Sequence, residues 1–137
     1  MRWHASLALG LAALLSGCAG RDGLIAVRFA SATPGAPVTL DATLVRPSGD
    51  GPFPAVVELH GCGGLVAQSY RWARWLAARG YVALVVDSFG PRGTKGNCRS
   101  EPDDPPITAR FDDAMGALRY LQSQPYVRGD RVAAISW

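Results

Sequence analysis

Lysine is almost missing from this 137-residue sequence: Lys95 is the single example among 14 basic side chains, set against 11 acidic ones. The arginines are scattered and no five like charges stand together, so a net charge of +3 gives no nucleic-acid footprint. Histidine occurs only at His4 and His60. A phosphate loop of the Gly-x-x-x-x-Gly-Lys form is lacking, because Gly93-Thr94-Lys95-Gly96 has the wrong spacing. A dinucleotide fingerprint built on Gly61 and Gly63 would need Gly or Ala where Val66 stands. His60, Cys62 and Cys98 follow no zinc spacing and want a fourth ligand. No cofactor, metal or nucleic-acid partner is therefore expected. Internal repeats, low-complexity tracts and interdomain linkers are lacking too, and the length sets a ceiling of one small domain.

The apolar stretch from Ala5 to Leu15 is too short to cross the ~30 Å hydrocarbon core as a helix. Preceded by Arg2, it reads as a secretory signal covering residues 1–17. Its end, Leu15-Ser16-Gly17-Cys18, resembles the lipobox of bacterial lipoproteins, which implies cleavage before Cys18 and a lipid on that cysteine. Ala19 in the next position resembles lipoproteins sent to the outer membrane. The expectation is an exported periplasmic domain, residues 18–137, held at the bacterial cell envelope through an N-terminal lipid. On the competing reading, Cys18 is a small apolar residue beside an ordinary cleavage site. Loss of residues 1–17 removes Arg2 and lowers the net charge to +2, with 13 bases against 11 acids. Cys62 and Cys98 then remain as an even pair in an oxidising compartment, where a disulfide is expected. Two buried, unpaired thiols are the alternative, because spacing alone does not bring two Cα atoms within ~7 Å.

A composition of 48% hydrophobic and 18% charged residues is that of a folded domain. Leu24 to Ala30 and Val38 to Val45 are rich in β-formers around the turn segment Thr33-Pro34-Gly35-Ala36-Pro37, which predicts an antiparallel pair. Pro54 to Leu59 and Tyr81 to Asp87 are near-continuous apolar runs, the pattern of strands covered on both faces. Between them, Trp72, Trp75, Leu76 and Ala77 recur at helical spacing over Ser69 to Arg79, with Gly80 as a stop. Strand, helix and strand at these lengths predict a right-handed parallel crossover. Ser88 to Pro106 reads as a surface loop at the strand's C-terminal end, where α/β sheets place ligands. A second helix is predicted over about Ile107 to Gln124, burying Phe111, Ala114, Leu118 and Leu121. Arg131 to Ile135 begins a third buried strand. The fold class is α/β, a mostly parallel sheet with an N-terminal antiparallel pair.

Glu58-Leu59-His60-Gly61-Cys62-Gly63-Gly64 follows a buried strand, and glycines there let backbone N–H groups approach a ligand closely, as an oxyanion hole needs. Pro54 to Gly61, then Gly80-Tyr81-Val82-Ala83, then Asp87-Ser88-Phe89-Gly90-Pro91-Arg92-Gly93 together resemble the dienelactone hydrolase family. The similarity runs on through Asp113, Ala117, Leu118 and Leu121 to Gly129-Asp130-Arg131-Val132-Ala133. It implies a partial α/β-hydrolase fold acting on a small ester or lactone. It also implies the Cys62 N–H as oxyanion donor, with His60, Gly61, Gly63 and Gly64 shaping the loop.

Glu58 matches a glutamate that lies beside the nucleophile in thiol members of the family, and Arg92 resembles an arginine of the same site. A carboxylate at the end of a buried strand needs a cation or hydrogen-bond donor, which Arg92 on the neighbouring exit loop is expected to supply. A pairing that only fastens two loops is the equal alternative.

The family's elbow, Gly-x-Ser-x-Gly or Gly-x-Cys-x-Gly, begins here as Ser136-Trp137, which implies a nucleophile at position 138 and a sequence truncated at the strand leading to it. Ser136 itself would shorten that strand below the elbow geometry. The triad acid and histidine follow the nucleophile in chain order, so 137 residues alone are expected to be inactive. A non-catalytic, lipid-anchored binding or remnant protein is the alternative outside enzymes. Within them, acetyl-esterase-like and prolyl-peptidase-like activities stay open.

Overall fold

The computed structural model describes residues 23–96, 98–99 and 105–137. The expected signal and Cys18 lie outside the described residues. Strands β1 (Leu24–Ala30) and β2 (Thr39–Val45) are followed by β3 (Phe53–Leu59), helix α1 (Ala67–Ala77) and β4 (Val82–Asp87). A 3-10 turn at Gly90–Arg92, helix α2 (Ile107–Gln122) and β5 (Val127–Ser136) complete the order. One five-stranded sheet results, ordered β1-β2-β4-β3-β5. β1 pairs antiparallel with β2 and β2 with β4, whereas β3 pairs parallel with both β4 and β5. This is the mixed α/β sheet expected from the alternation of apolar runs and helical periodicity.

Helices on both faces explain why β4 reads as an unbroken apolar run: Val82, Ala83, Leu84, Val85 and Val86 are all buried. Leu84 and Val86 join Leu40, Val57, Ala117 and Leu121 in the larger core under α2. Ala83 and Val85 meet Ala73 of α1 and Val45 in the smaller one. Helix α1 stops at Gly80, whose φ of +85° takes the left-handed turn. There the Gly80 and Tyr81 N–H groups donate to Ala77 and Leu76 carbonyls.

Two expectations fail on burial. Phe111 is 67% exposed and Ala114 and Leu118 are half-buried; of the expected face Leu121 is fully buried, and Asp113, Gly116 and Ala117 complete the stripe that α2 buries. Apolar spacing had pointed to the neighbouring face because it cannot credit a buried carboxylate or a glycine. β5 is likewise an edge strand, with Ala133 and Ala134 exposed. Its expected two-sided burial fails because, among the described residues, only β3 pairs with it.

At Gly116, α2 lies tight against the end of β1. A Cβ there would collide with the Ala30 carbonyl and lie 2.9 Å from the Ser31 Cα. Both obstacles are backbone, so Gly116→Ala should destabilise the protein by about 1–3 kcal/mol, read as a lower urea midpoint at unchanged slope.

Candidate active site

Parallel register carries the C-terminal ends of β3, β4 and β5 to one edge of the sheet, with Leu59 beside both Val86 and Ser136. Residues leaving β3 therefore meet the end of β5: a Cβ on Gly61 would stand 3.2 Å from the Trp137 carbonyl oxygen. The chain then turns back, the Gly64 N–H donating to the Gly61 carbonyl at 3.1 Å. Gly64 has a φ of +80° and lies so near the Lys95 carbonyl that a Cβ would come within 2.6 Å of it. Gly96 approaches the Cys62 carbonyl in the same manner, at 2.9 Å from its own would-be Cβ. Across this contact Cys62 and Cys98 are joined by a disulfide, with their Cα atoms 4.8 Å apart. The bond excludes the unpaired-thiol alternative and removes the thiolates that a metal at His60, Cys62 and Cys98 would require. Among the described residues, no backbone carbonyl accepts the Cys62 N–H.

His60 is buried, and both of its ring nitrogens are engaged in holding the loop. Its Nε2 accepts the Ser88 N–H at 3.1 Å, which requires the proton on Nδ1, 2.8 Å from the Gly61 carbonyl. Burial lowers its pKa, so the neutral ring is favoured and both bonds persist. The Phe89 ring lies against it with centroids 4.5 Å apart, and Arg110 donates to the His60 carbonyl. His60 thus ties the exit of β3 to that of β4.

Glu58 and Arg92 do not pair. Both Arg92 terminal nitrogens bond the Asp113 carboxylate, at 2.9 and 2.8 Å, and Nη1 also donates to the Ser88 carbonyl. Asp113 is fully buried on α2, so the guanidinium joins α2 to the loop after β4 as a two-point fork. The expected partnership fails because α2 brings a carboxylate that no strand-to-loop argument had included. Glu58 is 1% exposed and, among the described residues, neither carboxylate oxygen has a hydrogen-bond partner. Its register neighbours are Val85 and Ile135. Burial accordingly raises its pKa to about 7.

Beside the loop lies a cavity of about 360 Å³ between Gly61, Gly63 and Gly64, the start of α1, and Trp137. Trp72 forms part of its wall, 5.7 Å from Trp137 between ring centroids. The structure brings Glu58, His60, Gly61, Cys62, Gly63 and Gly64 together at the end of β3, whereas the sequence had suggested no site role for Asp113, Arg110, Trp72 or Trp137. An aspartate on an otherwise apolar helix face was the one available signal, pointing to a buried cation partner.

A mixed sheet with parallel β3, β4 and β5, a glycine loop at their C-terminal edge and helices on both faces defines an α/β hydrolase-type fold. The dienelactone hydrolase family model matches residues 40–137, and the chain belongs to that family. A dienelactone hydrolase-like promiscuous phosphotriesterase from metagenomic libraries superposes with a TM-score of 0.65 at 27% identity, covering 84% of this chain and 49% of its own. The structure m3DLH gives 0.64 and 27%, with coverage of 83% and 48%. The α/β hydrolase GrgF from Penicillium sp. sh18 gives 0.65 at 21% identity, covering 82% and 37%, a likeness of fold. This chain thus spans about half or less of the length of these solved structures. No curated protein matches it in sequence.

Two outcomes follow from this geometry. Glu58 has a raised folded-state pKa, so between its ordinary value near 4.5 and about 7 the folded protein holds a proton that the unfolded chain releases. Stability should therefore fall as pH rises through that window, by up to about 3 kcal/mol, and level off above it. Glu58→Gln should abolish the slope, leaving the variant the more stable at pH 8 and equal at pH 4 in urea titrations. Cys98→Ser opens a bridge spanning 36 residues and should cost about 3–4 kcal/mol. Dithiothreitol should lower the midpoint of the parent similarly and leave that of the variant where it is.

Proposed function

We propose that this chain supplies the oxyanion side of a carboxylic ester or lactone hydrolase. The observation that carries the reading is the contact of Gly61 with Trp137, which sets the Cys62 loop against the end of β5. A Ser or Cys nucleophile directly after Trp137, at position 138, would stand at that junction. It attacks the ester carbonyl, and the developing oxyanion takes hydrogen bonds from the Cys62 N–H and from the N–H following the nucleophile. The alcohol leaves, water releases the acyl group, and the nucleophile is regenerated. The triad acid and histidine come from sequence after the nucleophile.

Glu58 acts beside this nucleophile as a carboxyl that gains or loses its proton near neutrality, with a pKa of about 7 in support. Arg92 keeps a positioning role, because Asp113 engages its guanidinium. A polypeptide carrying the family's full length should hydrolyse p-nitrophenyl acetate, whereas residues 1–137 should not exceed a heat-treated control. Turnover by the 137-residue chain would overturn the placement of the nucleophile; an inactive full-length protein would favour a binding role.

We also propose export and attachment of a lipid at Cys18, making the protein an envelope lipoprotein. The Cys62–Cys98 disulfide supports an oxidising compartment. Cells expressing the protein with labelled palmitate should incorporate label, and Cys18→Ala should abolish it. Equal labelling of parent and variant would remove the lipid from the account.

A further inference from the structure

The cavity beside the oxyanion loop has a specific chemical character. One end is backbone, at Gly61, Gly63 and Gly64, and the other is aromatic, at Trp72 and Trp137. The two indoles lie 5.7 Å apart between centroids with planes 30° apart, so they pack against each other with an offset and leave no slot between them. A flat group can lie against the part of the pair that faces the cavity but not slide between the rings. Ser69 lies one helical turn before Trp72 and also lines the cavity; it is 3% exposed, and its hydroxyl has no partner among the described residues. A buried hydroxyl left without a partner is unfavourable, and a ligand atom reaching it would relieve that. No Arg, Lys, Asp or Glu lines this space among the described residues. An anionic group placed there would lose its hydration with no cation in return.

We propose that this cavity is an acyl pocket selecting flat, uncharged apolar acyl groups of the arylacetyl kind, with Trp72 as the specificity-determining residue. The proposal rests on the hydrolase reading for the identity of the reacting bond, and on the cavity alone for the shape and charge of what enters it. With the carbonyl carbon at the Cys62 loop, the acyl group extends across the Trp72 face towards Ser69. A volume of about 360 Å³ accommodates one ring and its methylene linker.

The test uses full-length protein and three esters sharing one leaving group: p-nitrophenyl acetate, phenylacetate and hemisuccinate. Phenylacetate should have the highest kcat/KM and hemisuccinate the lowest. Trp72→Ala should reduce the phenylacetate-to-acetate ratio at least tenfold, and Trp72→Phe, which keeps a flat wall, should retain most of it. Calorimetric titration with phenylacetamide, which is neutral and not an ester, reads the pocket without turnover. It should bind the parent and Trp72→Phe, and at least tenfold more weakly to Trp72→Ala. If no ester is cleaved while phenylacetamide binding still depends on Trp72, the hydrolase reading fails and the pocket stands. A selectivity ratio unmoved by Trp72→Ala, preference for hemisuccinate, or no phenylacetamide binding by the parent would overturn the proposal. If Trp72→Ala does not fold, loss of the phenylacetate preference in Ser69→Phe, which fills the cavity from α1, takes its place as the readout.

Discussion

Main-chain pairing of β3 with β5, in parallel and with Leu59 beside Ser136, is the constraint on which the rest of the site depends. Parallel strands end on the same edge, so the two segments leaving them are neighbours however far apart they lie in sequence. Gly61 and Trp137 are 76 positions apart and in contact because of it. An oxyanion hole assembled from two such segments requires this adjacency, because its donors must converge on one atom.

Adjacency alone does not hold a loop of glycines in one conformation. Three separate attachments do so here, each to the segment after β4. Cys62 is bonded to Cys98, the His60 ring accepts the Ser88 N–H, and Gly64 and Gly96 allow the two backbones to approach closely. Arg92 fixes that second segment in turn by gripping Asp113 of α2 and the Ser88 carbonyl. The candidate donor is therefore placed by a chain of contacts running from α2 through the β4 exit to Cys62. Such preorganisation is what gives backbone donors their effect on a transition state.

The charges divide by the same logic. Buried Asp113 and partly buried Arg92 form a hydrogen-bonded pair, the form in which burial of charge is tolerated. Glu58, enclosed beside Val85 and Ile135 without a cation, instead takes up a proton, and its pKa rises to about 7. Asp113 is thus held in a two-point ion pair while Glu58 is held near its titration point, a difference made by a guanidinium that reaches one carboxylate and not the other.

Local patterns were sufficient for much of this. Apolar runs marked β3 and β4, helical spacing with Gly80 marked α1, and the glycines after His60 marked the loop, because strand burial, helix periodicity and glycine turns are each written into neighbouring residues. The motif order also placed the chain in its family. Partner choice belonged to the tertiary structure alone. Arg92 took Asp113 rather than Glu58, Phe111 turned outward, β5 became an edge, and Trp72 met Trp137. Each of these depends on which distant element arrives at a given face, and pairing between elements is set by packing geometry that sequence spacing does not contain.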